Sequence, residues 1–253
     1  MPQRKTLPKV PDYVGIPSDE SKLVVQKSNP LQTLSETGMT LSEFKILDAY
    51  LSRIDSHVPE KRFVRFEKGE LERILGVERI RKKDLSARLD GLGRFVTIKD
   101  KNKDNGFTKI ALFEKAVAVQ DEDGLWQIDL VCTPSAMEYI FNIEVMGYLS
   151  YMLKNIIELT SRYSYVLYLY LEAHRKGPLS NEWEVEVDEL KRILQCNSHT
   201  YDSFYRFNDL VLKKCYTEIN EKTNLKYIYK PKRIGRKVKI IQFSIETPKK
   251  ELS

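Results

Sequence analysis

The sequence is poor in the residues that build cross-linked or metal-dependent proteins. Its 253 residues include only three cysteines and three histidines. Cys132, Cys196 and Cys215 are an odd number at wide spacing, whereas a disulfide framework or a zinc site needs pairs at close spacing. We therefore expect three buried apolar thiols in a reducing cytoplasm, and neither a metal site nor a cofactor.

Three further features are missing. No apolar run approaches the roughly 20 residues that a membrane-spanning helix needs. Residues 1–22 carry four prolines within 17 positions and lack the apolar centre and cleavage site of a secretory signal, so we expect a flexible leader there. No glycine-rich loop ends in Gly-Lys-Ser or Gly-Lys-Thr, so nucleotide hydrolysis is not expected.

What the sequence does contain is mixed charge with one local excess of bases. Lys and Arg number 42 against 36 Asp and Glu, which gives a net charge of +6. Between Leu225 and Ile241 there are seven bases and no acid, and the rest of the chain has 35 bases for 36 acids. The seven are Lys226, Lys230, Lys232, Arg233, Arg236, Lys237 and Lys239. The excess positive charge therefore lies in one stretch.

Hydrophobic periodicity predicts a first set of elements in the N-terminal half. Apolar positions from Leu41 to Ile54 recur at helical spacing behind Thr40 and Glu43, which form a capping box. A strand, two helices and a hairpin with an Asn-Gly turn are predicted next, over residues 63–66, 71–75, 78–93 and 94–113.

The same order recurs about 120 residues later. Leu167 and Leu171 stand 120 positions after Leu47 and Leu51, and the following strand and helix match at an offset of 119. A longer helix is predicted over 201–223, and two alternating strands close the copy. Helix, strand, helix, helix and hairpin form a winged helix, whose helix-turn-helix places its second helix in the major groove of DNA.

The sequence thus predicts an α+β protein of two tandem winged-helix domains, residues 23–143 and 144–247, followed by a tail at 248–253. The boundary falls in a connecting helix near 141–147. Because the net positive charge belongs to the second domain, we expect that domain to dominate DNA affinity.

The base-rich stretch falls where the second wing is expected. Tyr227, Tyr229, Val238, Ile240 and Phe243 alternate along it as they do in strands. A loose tail has no reason to alternate, and a nuclear-import signal is disfavoured because these residues are committed to strands. The bases would lie along DNA phosphates and supply affinity without sequence information. The alternative is a solvated hairpin with spare lysines.

Sequence reading is assigned to the helix before this wing. Its inward face is expected to be Phe204, Phe207, Val211, Cys215 and Ile219. The candidates for DNA contact are Ser203, Tyr205, Arg206, Asn208 and Lys213. Arg206 is the main candidate, because a guanidinium can bind guanine through two hydrogen bonds worth about 1–3 kcal/mol of discrimination. The alternative for Arg206 is a surface ion pair with Asp202 or Asp209.

The second helix of the first helix-turn-helix offers its own candidates, which are Arg79, Arg81, Lys82, Lys83 and Arg88. Here Glu78, Asp84 and Asp90 neutralise much of the charge, and the hairpin that follows is mixed in sign. This helix is therefore expected to contribute less to DNA binding than the second domain does.

Six segments carry a further signal. In the second half they are LTSRYSYVLYLYL (Leu159–Leu171), VDELKRIL (Val187–Leu194), TEINEKTNLKYIY (Thr217–Tyr229) and GRKVKIIQFSI (Gly235–Ile245). In the first half they are VVQKSNPL (Val24–Leu31) and TLSEFKILDAYL (Thr40–Leu51). Taken in order and spacing, from about Lys22 to Ile245, they resemble the iteron-binding plasmid replication initiator family.

This resemblance implies a plasmid-encoded protein of the bacterial cytoplasm that binds repeated double-stranded sites, called iterons, at an origin. It implies that monomers start replication, while dimers paired through the first domain repress the protein's own gene. It also implies recruitment of the host replication initiator, helicase and chaperones.

One position departs from the family pattern. Members carry basic residues just before the Val-Leu pair of the long helix, whereas this chain has Asn208-Asp209-Leu210. An acid there repels phosphate. Arg206, Lys213 and Lys214 are the residues that can compensate.

Two other functions fit parts of the pattern. A nicking initiator would attack DNA with a tyrosine, and the chain has 14, but that chemistry normally needs a metal held by clustered histidines. His57, His174 and His199 are isolated in sequence, so we do not expect an enzyme. A tandem winged-helix transcriptional regulator fits the residues as well as an initiator does, and only the resemblance favours replication.

Overall fold

The computed structural model describes residues 22–98, 107–175 and 181–246. Most of the predicted leader, residues 99–106 of the first predicted hairpin and the whole of the predicted tail lie outside the described residues. The described chain consists of helices and short antiparallel strands, and its elements follow the repeated order expected from the sequence.

The first half opens with β1 (Val24–Ser28), α1 (Asn29–Gln32), a 3₁₀ turn (Thr33–Glu36), α2 (Leu41–Leu51), β2 (Phe63–Phe66), α3 (Glu70–Leu75) and α4 (Lys82–Gly93). Four strands follow, β3 (Phe95–Ile98), β4 (Thr108–Ala111), β5 (Phe113–Gln120) and β6 (Trp126–Cys132). The connecting region contains α5 (Pro134–Phe141), α6 (Ile143–Met146), β7 (Tyr148–Met152) and α7 (Leu153–Ile157).

The second half contains α8 (Arg162–His174), β8 (Glu182–Glu186), α9 (Val187–Leu194) and a 3₁₀ turn (His199–Tyr201). Three segments then run on without a break: α10 (Phe204–Phe207), a π-helical turn (Asn208–Leu212) and α11 (Lys213–Lys222). We call residues 204–222 the long helix. The chain closes with β9 (Lys226–Ile234) and β10 (Lys237–Glu246).

The start of α2 is fixed by the predicted capping box. The Thr40 hydroxyl accepts from the Glu43 amide at 3.3 Å, and the Glu43 carboxylate accepts from the Thr40 amide at 2.6 Å. Gly91 of α4 packs directly over this carboxylate, since a Cβ at position 91 would collide with it. The absence of a side chain at Gly91 thus lets α4 approach the first turn of α2.

The first wing is not the hairpin that the sequence indicated. β3 and β4 do pair antiparallel, but they form a separate two-stranded sheet. β2 pairs with β6, and β6 pairs with β5, as β8 pairs with β10 and β10 with β9 in the second half. The β5–β6 hairpin is therefore the counterpart of the second wing. The strands on either side of the Asn-Gly signal do pair, but local sequence does not show which pair of strands lies beside β2.

The two halves share one hydrophobic core. The rings of Phe44 in α2 and Tyr165 in α8 stack with centroids 4.7 Å apart. Beside them the buried Lys27 ammonium donates to Asp48 at 3.0 Å and to the Tyr165 hydroxyl at 2.8 Å, and that hydroxyl donates to Asp48 at 2.9 Å. A buried charge pair needs such additional hydrogen bonds to offset its lost hydration.

Backbone pairing also joins the two halves. β1 pairs antiparallel with β7 from Val24–Met152 to Ser28–Tyr148. β1 belongs to the first predicted domain and β7 lies beyond the predicted boundary. A strand from near the start of the described chain is therefore completed by one from the connecting region.

Candidate nucleic-acid interface

The long helix starts at Phe204, not at the predicted Tyr201. Ser203 is its N-cap, and the Ser203 hydroxyl accepts from the Arg206 amide at 3.2 Å. Tyr201 belongs to a separate 3₁₀ turn. The inward face is as predicted: Phe207, Val211, Cys215 and Ile219 are fully buried, and Phe204 is half-buried.

A π-helical turn at Asn208–Leu212 interrupts the α-geometry. Such turns hold one more residue than an α-turn and are frequent at functional sites. Both Val211 and Leu212 are buried here, while Leu210 is exposed. Asn208 is half-buried, and its side-chain oxygen accepts from the Tyr229 hydroxyl of the wing at 2.8 Å. Asn208 is thus already bonded within the protein.

Tyr205 and Arg206 are both exposed, Tyr205 by 74%, on the first turn of the long helix. Within the parts of the chain that the structure describes, the alternative ion pairs of Arg206 do not form. Asp209 accepts from the Lys213 ammonium at 2.8 Å, and Asp202 lies 3.2 Å from the His199 ring. The guanidinium of Arg206 therefore forms no ion pair with an acid among the described residues.

Lys213 offsets the charge at the position that departs from the family pattern. Its hydrogen bond holds the pKa of Asp209 below the usual value, and the same bond raises the pKa of Lys213. The pair therefore stays ionised and nearly neutral in sum at physiological pH. Lys213 is committed to this pair, whereas Lys214 next to it is exposed.

The second wing is a twisted two-stranded extension of its sheet. Gly235, with φ of 62°, makes the turn between β9 and β10, a conformation that glycine adopts without strain. The register shifts between Val238 and Ile240, so Lys239 is the extra residue of a bulge. Beyond the bulge, Ile241, Phe243 and Ile245 point inward. The sequence predicted inward positions at Val238 and Ile240, and the bulge moves the inward positions that follow to odd-numbered residues.

The wing exposes its bases. All seven bases between Leu225 and Ile241 are exposed. Lys232 forms an ion pair with Glu184 of β8, and Lys226 donates to the carbonyls of Asn220 and Thr223. The bases that remain for a partner are Lys230, Arg233, Arg236, Lys237 and Lys239. They are distributed over both strands of the hairpin and its turn.

The first half presents a smaller basic surface. Arg79, Arg81, Lys82 and Lys83 are exposed at or before the start of α4, where Arg81 is the N-cap, and Arg88 is half-buried. The turn of the first wing reads Asp121-Glu122-Asp123-Gly124 and carries three acids. Acids at that position repel phosphate, so the first wing lacks the phosphate-binding character of the second.

Three sets of contacts that the sequence did not indicate position these groups. Lys191 of α9 donates to the Asp202 carbonyl at 3.2 Å and lies 5.7 Å from the centre of the Phe207 ring. Asn220 bonds both backbone groups of Tyr227, and the hydroxyl of Tyr229 bonds Asn208. No local spacing marks them, because each contact joins different elements.

The described ranges contain neither a metal-binding cluster nor a membrane-spanning helix. Among those residues no three His, Cys, Asp or Glu side chains cluster in a way that could hold a metal ion. None of the described helices combines the length and the apolar character needed to cross a bilayer. The three cysteines are free and buried, as predicted, and burial raises the pKa of Cys196 and Cys215 to about 12.

Two family models match the sequence. Residues 24–172 match the one described as "Initiator Replication protein, WH1", and residues 186–245 match "Initiator Rep protein, WH2". The chain belongs to this family of replication initiators. The resemblance drawn from the six segments is thereby confirmed, as are the two winged helices.

A solved structure supports the fold of this initiator. The crystal structure of Pi initiator protein in complex with iteron DNA aligns with 89% of this chain and 97% of that one, at a TM-score of 0.72. The two sequences are 20% identical over the alignment, so the likeness concerns the fold. No curated protein sequence matches this initiator.

Proposed function

We propose that this initiator starts plasmid replication by binding iterons at the origin as double-stranded DNA. The observation that carries the proposal is the second winged helix, where Tyr205 and Arg206 are exposed on the first turn of the long helix and the adjoining wing exposes five unpaired bases among the described residues. The structurally similar Pi initiator protein was crystallised with iteron DNA, which supports the same kind of ligand here.

In this function the two parts of the second domain have different tasks. The start of the long helix enters the major groove, where Arg206 reads a base edge and Tyr205 contacts a neighbouring base or the backbone. The wing bases bind phosphates and release counterions, which supplies affinity that depends strongly on salt. The start of α4, with Arg81, Lys82 and Lys83, adds a second set of phosphate contacts.

Footprinting tests the proposal. Purified protein is bound to the DNA that flanks its gene, and protection is mapped at nucleotide resolution. We expect protected direct repeats, with one protein bound to each. Protection of a single site or of an inverted repeat only would favour a transcriptional regulator. Nicked product from supercoiled origin DNA with a divalent metal ion would contradict the proposal, because it would show an enzyme.

We also propose that the protein forms a homodimer through β5 of the first domain. β5 is an edge strand, with β6 as its neighbour in the sheet order β2-β6-β5. Residues 116–120, Ala-Val-Ala-Val-Gln, carry no charge, and Val117 and Val119 are exposed. An uncharged, apolar edge strand is a ready template for pairing with another chain.

Sedimentation tests this dimer. Val119→Lys places a charge in the edge and is expected to shift the protein to monomers, while Val145→Lys makes the same change at a side chain of α6 that is 90% exposed and should leave the association unchanged. A dimer that survives Val119→Lys would place the interface elsewhere. If the wild-type protein stays monomeric at every concentration, the proposed dimer is wrong, and so is autorepression by that dimer.

A further inference from the structure

The wing and the long helix are joined by a hydrogen bond between two side chains. The hydroxyl of Tyr229, on β9, donates to the side-chain oxygen of Asn208 at 2.8 Å. Asn208 is the first residue of the π-helical turn, and both residues are half-buried. The bond therefore joins the base of the phosphate-binding hairpin to the point at which the long helix changes geometry.

A second contact keeps β9 in place for this bond. The Asn220 amide of α11 donates to the Tyr227 carbonyl at 3.1 Å, and its oxygen accepts from the Tyr227 amide at 2.9 Å. The side chain of Asn220 thereby acts as an additional strand partner for β9. Tyr229, two residues further on, lies on the same side of the strand as Tyr227 and reaches the π-helical turn.

The π-helical turn decides which way the start of the long helix faces. Each residue of an α-helix turns the chain by about 100°. A π-helical turn accommodates one extra residue, so its relaxation to α-geometry would rotate residues 204–207 relative to α11 by about that angle. Tyr205 and Arg206 lie in the segment that would rotate. Their direction therefore depends on the turn that Asn208 begins.

We propose that the Asn208–Tyr229 hydrogen bond positions Tyr205 and Arg206 for base reading and couples that reading to the seating of the wing. Tyr229 and Asn208 are positioning residues in this scheme, since neither has to touch DNA. The inference rests on the proposed function, because it assumes that the long helix reads iterons. It adds a specificity determinant that lies behind the contact surface.

Tyr229→Phe tests the inference, because it removes the hydroxyl and keeps the ring that packs against Tyr216 and Phe243. We expect the ratio of cognate to random-DNA affinity to fall about three- to tenfold, the equilibrium equivalent of one hydrogen bond. The slope of log affinity against log salt concentration should stay unchanged, since no phosphate contact is lost.

Tyr227→Phe is the matched control. Tyr227 lies on the same strand, and its hydroxyl is buried without a hydrogen-bond partner among the described residues. This variant should keep both the ratio and the salt slope. Asn208→Ala should reproduce the loss seen in Tyr229→Phe, and the double variant should lose no more than either single variant, because both remove the same bond.

The outcomes separate this inference from the function on which it rests. If the wild-type protein does not distinguish iterons from random DNA, the proposed function fails. If the wild type discriminates and both Tyr229→Phe and Asn208→Ala keep the full ratio, the positioning role is wrong. An equal loss on all DNA, with a reduced salt slope, would also overturn it, because Tyr229 would then serve phosphate binding. Thermal unfolding of each variant shows whether it is folded.

Discussion

At the scale of single residues, bonds within the protein restrict which side chains can meet DNA. The Ser203 hydroxyl caps the long helix, Asn208 accepts from Tyr229, and Lys213 is paired with Asp209. Tyr205 and Arg206 are the predicted residues of this helix that stay exposed and outside these bonds. Tyr205 and Arg206 are therefore our first candidates for base reading.

Arg206→Ala is expected to weaken binding to the cognate repeat by about 1–3 kcal/mol, the value of a two-bond contact to guanine. Binding to random DNA should change little, because a base contact adds nothing there. Competition assays with cognate and random duplexes measure both affinities.

Arg94→Ala is the control for this prediction, since Arg94 is an exposed arginine at the C-cap of α4 in the first domain. It should leave the ratio of the two affinities unchanged. An equal loss on both duplexes for Arg206→Ala would identify Arg206 as a phosphate contact.

The sequence predicts the exposed side of the long helix but not what its side chains bond to. Helical spacing correctly separates the inward residues Phe207 and Val211 from the outward residue Arg206, because the period of a helix predicts which of its own faces is buried. The partner of Asn208 lies 21 positions away on another element, and no local pattern shows that distance. The roles assigned to Ser203, Asn208 and Lys213 as DNA contacts stay predictions. Their bonds within the protein support structural roles instead: a helix cap, a contact with the wing and an ion pair.

At the scale of elements, the second wing combines a rigid base with an exposed basic end. Ile241, Phe243 and Ile245 anchor β10 in the core, while the bulge at Lys239 and the turn at Gly235 shape the outer part. A bulge increases the local twist of a hairpin. The bases near the turn are thus held on a defined backbone and not on a loose tail.

A triple replacement of Arg233, Arg236 and Lys237 by Gln is expected to weaken binding to all DNA alike. Each lost phosphate contact reduces the slope of log affinity against log salt by about 0.9, so three contacts reduce it by about 2.7. Lys232 is left in place because it is already paired with Glu184. Binding isotherms over a series of salt concentrations give the slope.

The matched triple, Lys61, Arg94 and Lys154 to Gln, removes the same charge from exposed positions outside the wing and should keep the slope. If the wing triple keeps it too, the wing does not touch the DNA backbone.

The repeat in the sequence predicts the order of elements because each copy carries its own periodicity. Thr40 and Glu43 correctly mark the start of α2, and the matching strands β2 and β8 are both present. The choice of the first wing is wrong. Asn105-Gly106 is a strong local turn signal, whereas the β5–β6 turn at Gly124 carries acids, and the pairing of β2 with β6 joins residues more than 60 positions apart.

At the scale of the whole molecule, Arg162 ties the two halves together. From the first turn of α8 its guanidinium donates to the carbonyls of Met39 at 3.0 Å, Ser35 at 2.7 Å and Thr37 at 3.0 Å. Gln195, which ends α9, donates to the Glu36 carbonyl beside them. The segment before α2 is thus held by residues of the second helix-turn-helix.

Arg162→Ala is expected to lower the free energy of unfolding by about 2–3 kcal/mol, because hydrogen bonds from a charged donor are lost and the carbonyls are left without it. Urea denaturation measures the change. Arg192→Ala, on α9, removes an arginine that is paired with Glu189 on the surface and should cost less than half as much. Equal losses in the two variants would show that Arg162 does not join the halves.

The pairing of β1 with β7 sets an order of events during synthesis. Val24–Ser28 leaves the ribosome early, but the strand that completes it, Tyr148–Met152, is made only after the entire first wing. Chains generally fold domain by domain as they emerge, and unpaired strands expose surface that aggregates. The nascent first winged helix therefore carries an open strand through most of its translation, and slower elongation before residue 152 would prolong that exposed state.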